Sequence, residues 1–150
     1  MLTNFLPKRA VKVNLSSTDK SSVIEELVEL LCDVHGLHNC SEVLDVILER
    51  EKVMSTGIGH GIAIPHAKLD SVSSPKMVAG LAKDGIEFDS VDGKPASIFF
   101  LLLSPKNGSG DHIKILSELS RILNGPKVRE ELLLSETASD FLQVLKKHAN

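Results

Sequence analysis

Ala96-Ser-Ile-Phe-Phe-Leu-Leu-Leu103 is the stretch of this sequence that decides the fold. From Ile98 to Leu103 it is continuously apolar, at the length of one buried strand. Successive side chains of a strand point to opposite faces, so a strand apolar throughout must be covered on both. Outward from it, Val91-Asp-Gly-Lys94 reads as the turn that feeds this strand. Met77–Ala82 is a second strand candidate, and Val11–Leu15 alternates apolar and polar as a short strand does. Ile62-Ala-Ile-Pro65 reads as a short buried strand that stops at the proline.

The helices fall between and around these strands. Thr18 caps a helix beginning at Asp19, with Val23, Ile24, Leu27, Leu30, Leu31 and Val34 at helical spacing and Gly36 just past its end. Ser41 caps a second helix that runs to about Lys52. Asp111–Leu123 is helical and is ended by Asn124-Gly125. Pro126 opens a short helix through Leu134, and Thr137 caps a last one containing Phe141, Leu142 and Leu145. Leu132-Leu133-Leu134 fits either core or part of a contact surface, and core is the better reading. The pattern predicts an α/β fold: a three-layer α/β/α sandwich with a small mixed β-sheet, as a single domain over residues 1–150.

The 150 residues are 42% hydrophobic but only 3% aromatic, so Leu, Ile and Val must supply most of the packing. A net charge of −3 and few aromatics argue against binding nucleic acid, which usually needs a basic stripe and stacking platforms. No apolar run approaches the roughly 18 residues of a membrane span. Met1–Val13 also lacks the apolar segment of a secretory signal, so a soluble cytoplasmic protein is the plain reading. Cys32 and Cys40 do not make a disulfide framework. With His35 and His38 they form a cluster of metal-ligand types. Four ligands this close across a helix end would be hard to wrap around zinc, and no metal is expected.

Of the six histidines, His60, His66 and His112 draw attention, and His66 and His112 are the candidates for chemistry. His66 follows Pro65 at a strand end, after Ser55-Thr-Gly-Ile-Gly-His-Gly61, where alternate glycines let another surface approach. From pattern alone, a presented functional histidine and a locally bonded turn histidine fit equally. His112 shares a helix face with Leu116, Leu119 and Leu123, and a helix start disfavours positive charge, so a neutral, inward imidazole is expected. Taken alone that pattern favours a satisfied core histidine. Arg50 belongs either to a solvated charged face or to a site that holds a phosphoryl group. The glycine loop has neither the Gly-Lys-Ser/Thr of a P-loop nor the dinucleotide spacing, and there is no Gly-x-Ser-x-Gly elbow.

The segment Arg50-Glu-Lys-Val-Met-Ser-Thr-Gly-Ile-Gly-His-Gly-Ile-Ala-Ile-Pro-His66 closely resembles the IIA domains of the fructose–mannitol type in the bacterial phosphotransferase system. That family includes the nitrogen-regulatory IIA proteins. Phe88–Pro95 with the apolar strand after it, and Asp111-His112 followed by Leu116-Ser-Glu-Leu119, extend the resemblance along the chain. The resemblance implies that His66 is phosphorylated by the phosphohistidine of HPr or a nitrogen-type paralogue. The acceptor is then a cysteine of a IIB domain or, in the regulatory alternative, phosphorylation controls binding to other proteins. It implies no cofactor, a second site histidine at His112 and a site arginine at Arg50. Thr56 and the backbone of Gly57 and Gly59 are expected to add donors to the phosphate. His60, Ala67 and Ile113 stand where many members have asparagine, glycine and leucine.

Overall fold

Residue periodicity sets this architecture, and the computed structural model describes residues 2–108 and 110–149. The strands are β1 (Val11–Lys12), β2 (Gly57–Gly59), β3 (Ile62–Ala63), β4 (His66–Lys68), β5 (Lys76–Ile86) and β6 (Ala96–Ser104). The helices are α1 (Lys20–His35), α2 (Cys40–Val53), α3 (Asp111–Leu123), α4 (Pro126–Leu133) and α5 (Ala138–His148). β6 is central, as its unbroken apolar run requires. β5 pairs antiparallel on one side of it, and β3 and β4 pair parallel, in succession, on the other. The order β1-β5-β6-β3-β2, with β4 also on β6, makes one mixed sheet.

Adjacent residues of β6 show why both faces must be covered. The Phe99 ring meets Phe88 edge-on at 5.6 Å, and the Lys20 ammonium at the start of α1 lies over Phe88. Phe100, one residue on, points the other way and meets Phe141 of α5 at 5.8 Å. α1 packs on β5 and α2 on β4; on the opposite face α4 packs on β6 and α5 near β1, with α3 against α4. Three layers result, as the sequence predicts.

The structure moves several boundaries. α1 is capped by Asp19, not Thr18, because the Asp19 carboxylate accepts from the Ser22 N–H at 2.9 Å. α2 starts at Cys40, with Val43 N–H already donating to Asn39 O, so Ser41 lies inside the helix. β1 is shorter than expected because the chain bends after Lys12, although Leu15 N–H still donates to Leu81 O. β5 runs past Ala82 to Ile86 through exposed Lys83 and Asp84, which conceal its period. The predicted cap at Thr137 is present as a reciprocal capping box with Asp140. Of the three leucines read as core, Leu132 is buried and Leu133 packs against the core, whereas Leu134 is 77% exposed.

Cys32 and Cys40 are bonded to each other, tying the last turn of α1 to the first residue of α2. His35 Nε2 is engaged with Met77 O at 3.1 Å. With both sulfurs bonded and that ring nitrogen occupied, the cluster does not offer four metal ligands.

Candidate functional site

β3 ends at Ala63, and after Ile64 and Pro65 the chain resumes as β4. The Pro65 carbonyl accepts from Leu102 N–H at 3.0 Å, and His66 comes into register with Leu102. The proline thus steps the chain along the edge of β6 and presents His66 at the end of the central strand, half-buried. On the two-residue period of β4, Lys68 lies on the same face as His66 while Ala67 is buried between them. Across the gap, the first turn of α3 brings His112 to a ring-to-ring distance of 5.4 Å. Arg50, in the last turn of α2, completes the wall. Val46, Arg50, His66, Ala67, Lys68 and His112 line a shallow cleft of about 350 Å³.

Hydrogen bonds orient each group. His66 Nδ1 lies 2.7 Å from the Ile64 carbonyl oxygen. A carbonyl only accepts, so Nδ1 carries the proton and Nε2 keeps a lone pair. Burial, above all, holds the His66 pKa below the ordinary imidazole value. The bond to Ile64 opposes that, the nearby Arg50 charge lowers it further, and Glu51 opposes Arg50. His112 Nδ1 lies 2.7 Å from Ser104 Oγ. Burial first, then the charges of a protonated His66 and of Lys68, push the His112 pKa down to about 4. Both rings are therefore neutral near pH 7. Arg50 Nη1 donates to Met54 O at 2.9 Å, which folds the guanidinium back over the end of its own helix.

The three residues central to the sequence argument, His66, His112 and Arg50, thus meet in one cleft. Thr56, Gly57 and Gly59 do not join them. Both Thr56 donors go to buried Glu51: N–H to Oε2 at 2.8 Å and Oγ1–H to Oε1 at 2.6 Å. Gly57 N–H donates to Ser55 Oγ, and Gly59 pairs with Ile62. The glycine loop is a β-hairpin whose turn, His60 and Gly61, has positive φ at both residues (57° and 77°). The 88–94 turn clamps it. Val91 N–H donates to Gly57 O, and Asp92 accepts from His60 N–H at 3.1 Å. A Cβ on Gly57 would come within 2.4 Å of Ser90 Oγ and 2.9 Å of Ser90 Cα, so only glycine fits there.

Sequence reasoning missed Ser104, Lys68 and Glu51. Lys68 carried a signal, its two-residue spacing from His66. Ser104 is the polar residue that ends the apolar run of β6. Glu51 adjoins Arg50 in a run that reads as solvated, yet it is 7% exposed and pairs with Lys20 at 3.1 Å. A larger groove, about 970 Å³, opens beside Lys20, Glu51 and Asp89, but no histidine or arginine lines it. The chemistry-bearing groups converge in the smaller cleft.

Residues 4–148 match the family model described as phosphoenolpyruvate-dependent sugar phosphotransferase system, EIIA 2. The chain is 39% identical to the fructose-specific EIIA component of Haloferax volcanii, over 96% of this chain and 94% of that protein. It is 37% identical, over 98% of its length, to the fructose-specific EIIABC component of Bacillus subtilis, of which it spans only 23%. In structure it is similar to the nitrogen regulatory protein IIA-Ntr of Neisseria meningitidis. That match has a TM-score of 0.90 at 30% identity and covers 96% of this chain and 98% of that one.

Proposed function

The chain belongs to the EIIA type 2 family of the phosphoenolpyruvate-dependent sugar phosphotransferase system, and from that premise we propose that it is a phosphocarrier which receives a phosphoryl group on Nε2 of His66 and passes it on. The observation that carries this reading is the Nδ1 contact to Ile64, which leaves Nε2 of a neutral ring as the nucleophile. The donor is the phosphohistidine of HPr or a nitrogen-type paralogue. The His66 Nε2 lone pair forms the new P–N bond as the donor's P–N bond breaks, and the donor ring keeps that electron pair. The His66 Nδ1 proton stays in place, and Ile64 O accepts from it while positive charge develops on the ring. Phosphoryl transfer needs in-line positioning and charge stabilisation more than covalent help. Arg50 and Lys68 supply positive charge and His112 supplies an N–H donor. Thr56, Gly57 and Gly59 serve the hairpin that carries the chain to Pro65. The acceptor is a IIB cysteine, a role consistent with the relative whose name joins A, B and C components. Residues 1–150 act as one transferring unit on the cytoplasmic side.

Incubation with phosphoenolpyruvate, Enzyme I and HPr, followed by intact mass and mapping of the acid-labile phosphate, tests this. One phosphoryl group on His66 is expected. It is absent in His66→Ala, and its uptake is slowed roughly 10²-fold in His112→Ala or Arg50→Ala. Stoichiometric uptake by His66→Ala would sink the assignment.

The likeness to IIA-Ntr favours a second reading, in which the phosphorylation state of His66 controls binding to regulatory proteins. A phosphoryl group would invert the charge of this small cleft, which suits such a switch. Transfer to a IIB domain supports the first reading. Complexes with unrelated proteins that depend on phosphorylation, without transfer, support the second.

A further inference from the structure

The two cleft histidines differ in what holds Nδ1. At His66 it is a carbonyl, which fixes one tautomer. At His112 it is the Ser104 hydroxyl, which can accept or donate. We propose that Ser104 is a positioning residue: its hydroxyl donates to Nδ1 of His112 and fixes that ring with its proton on Nε2, the tautomer opposite to His66. This rests on the phosphocarrier reading of the same cleft.

Three observations carry it. Ser104 is the last residue of β6 and 1% exposed, in register with Lys68, and its own carbonyl accepts from Leu69 N–H. It is therefore held rigidly by the central strand. The cap position of α3 is Gly110, with no side-chain bond, so the cap itself does not orient the ring. Among the described residues, the His112 ring has one hydrogen bond, the one to Ser104. A neutral ring carries one proton. With that proton on Nδ1, an Nε2 lone pair would face the oxygens of a phosphoryl dianion and repel them. With it on Nε2, the ring donates to those oxygens. Two neutral imidazoles 5.4 Å apart then present a lone pair and an N–H to the same space. The strand-end hydroxyl and the Ile64 carbonyl set that difference.

Long-range proton–nitrogen NMR on nitrogen-labelled, unphosphorylated protein at neutral pH reads both tautomers directly. The expected result is a proton on Nδ1 of His66 and on Nε2 of His112. A proton on Nδ1 of His112 overturns the proposal whether or not the protein accepts phosphate. Ser104→Ala and the near-isosteric Ser104→Cys, a weak donor, are expected to shift His112 toward Nδ1–H. They should also slow phosphoryl uptake by His66 about tenfold, and Ser104→Thr should restore both. An unchanged tautomer in a folded Ala or Cys variant overturns the proposal, as does a shifted tautomer with an unchanged rate. If no phosphoryl group is taken up by wild type, the phosphocarrier reading fails, and the wild-type spectrum still decides the tautomer claim.

Discussion

At the scale of single residues, the cleft keeps two imidazoles neutral, as the proposed transfer requires. The His112 pKa is held at about 4 against an ordinary 6.5, and the His66 pKa is lowered too. The unfolded chain binds these protons near the ordinary value, the folded chain only at lower pH. Their contribution to stability is therefore complete above 6.5 and is lost as pH falls from there toward about 4. Glu26 adds a second window. Burial opposes its charge, but Lys12, the Ser17 hydroxyl and the amides of Ser16 and Ser17 outweigh that and hold its carboxyl at about 2. The stability it contributes is lost between the ordinary 4.5 and about 2. Urea unfolding across pH should show a decline in both windows, with Glu26→Gln making the lower one shallower while Asp19, Asp92 and Glu131, also held below their ordinary values, still contribute to it. By the same sign, phosphoryl uptake by His66 should stay flat at and above the ordinary histidine pKa and fall only below it. A rate that climbs about threefold between pH 6 and 7, as an imidazole at the ordinary 6.5 would give, would contradict the lowered pKa. Lys68 is exposed, so Lys68→Gln should cost uptake only about two- to fivefold and flatten its salt dependence. Rates at low and high ionic strength check that.

At the scale of elements, the hairpin that delivers the chain to Pro65 hangs on one buried carboxylate. Glu51 accepts both Thr56 donors and pairs with Lys20, so it ties the end of α2, the start of the hairpin and the start of α1 together. Glu51→Ala leaves two buried donors and an ammonium without that partner. It should destabilise by roughly 2–4 kcal/mol, read as a lower denaturation midpoint, and slow uptake by loosening the approach to His66. This element was only half legible in the sequence. The glycines announce a turn, but what clamps it lies more than thirty residues on, at Ser90–Asp92. A reading confined to neighbours in sequence naturally takes Thr56 and the glycine amides for ligand donors. The same limit hid Ser104, whose value comes from the first turn of the next helix, and the bond between Cys32 and Cys40, which forms only once α1 and α2 fold back on each other.

At the scale of the whole molecule, most of the architecture was legible because it follows from side-chain period. The β6 run had to be central, the caps at Asp19 and Thr137 lie at or within one residue of the positions read from sequence, and Gly36 ends α1 in the left-handed conformation. The placement of β3 and β4 as two short parallel pieces on one strand was not, since Pro65 hides their common direction. The two phenylalanines of β6 hold the layers together. Phe100→Ala should cost about 3–5 kcal/mol by leaving a cavity under Phe141, with little effect on the rate of phosphoryl uptake in molecules that remain folded. Chemical denaturation together with uptake at low temperature would separate the two.

The contact between Gly57 and Ser90 reaches beyond stability. Because a methyl group at 57 would collide with backbone at 90, those positions cannot drift independently over evolutionary time. A lineage that gains any side chain at 57 must first lengthen or displace the segment from 88 to 91. That displacement would withdraw the Val91 and Asp92 anchors of the hairpin. Substitutions at the two sites should therefore accumulate in a preferred order, the distant turn first.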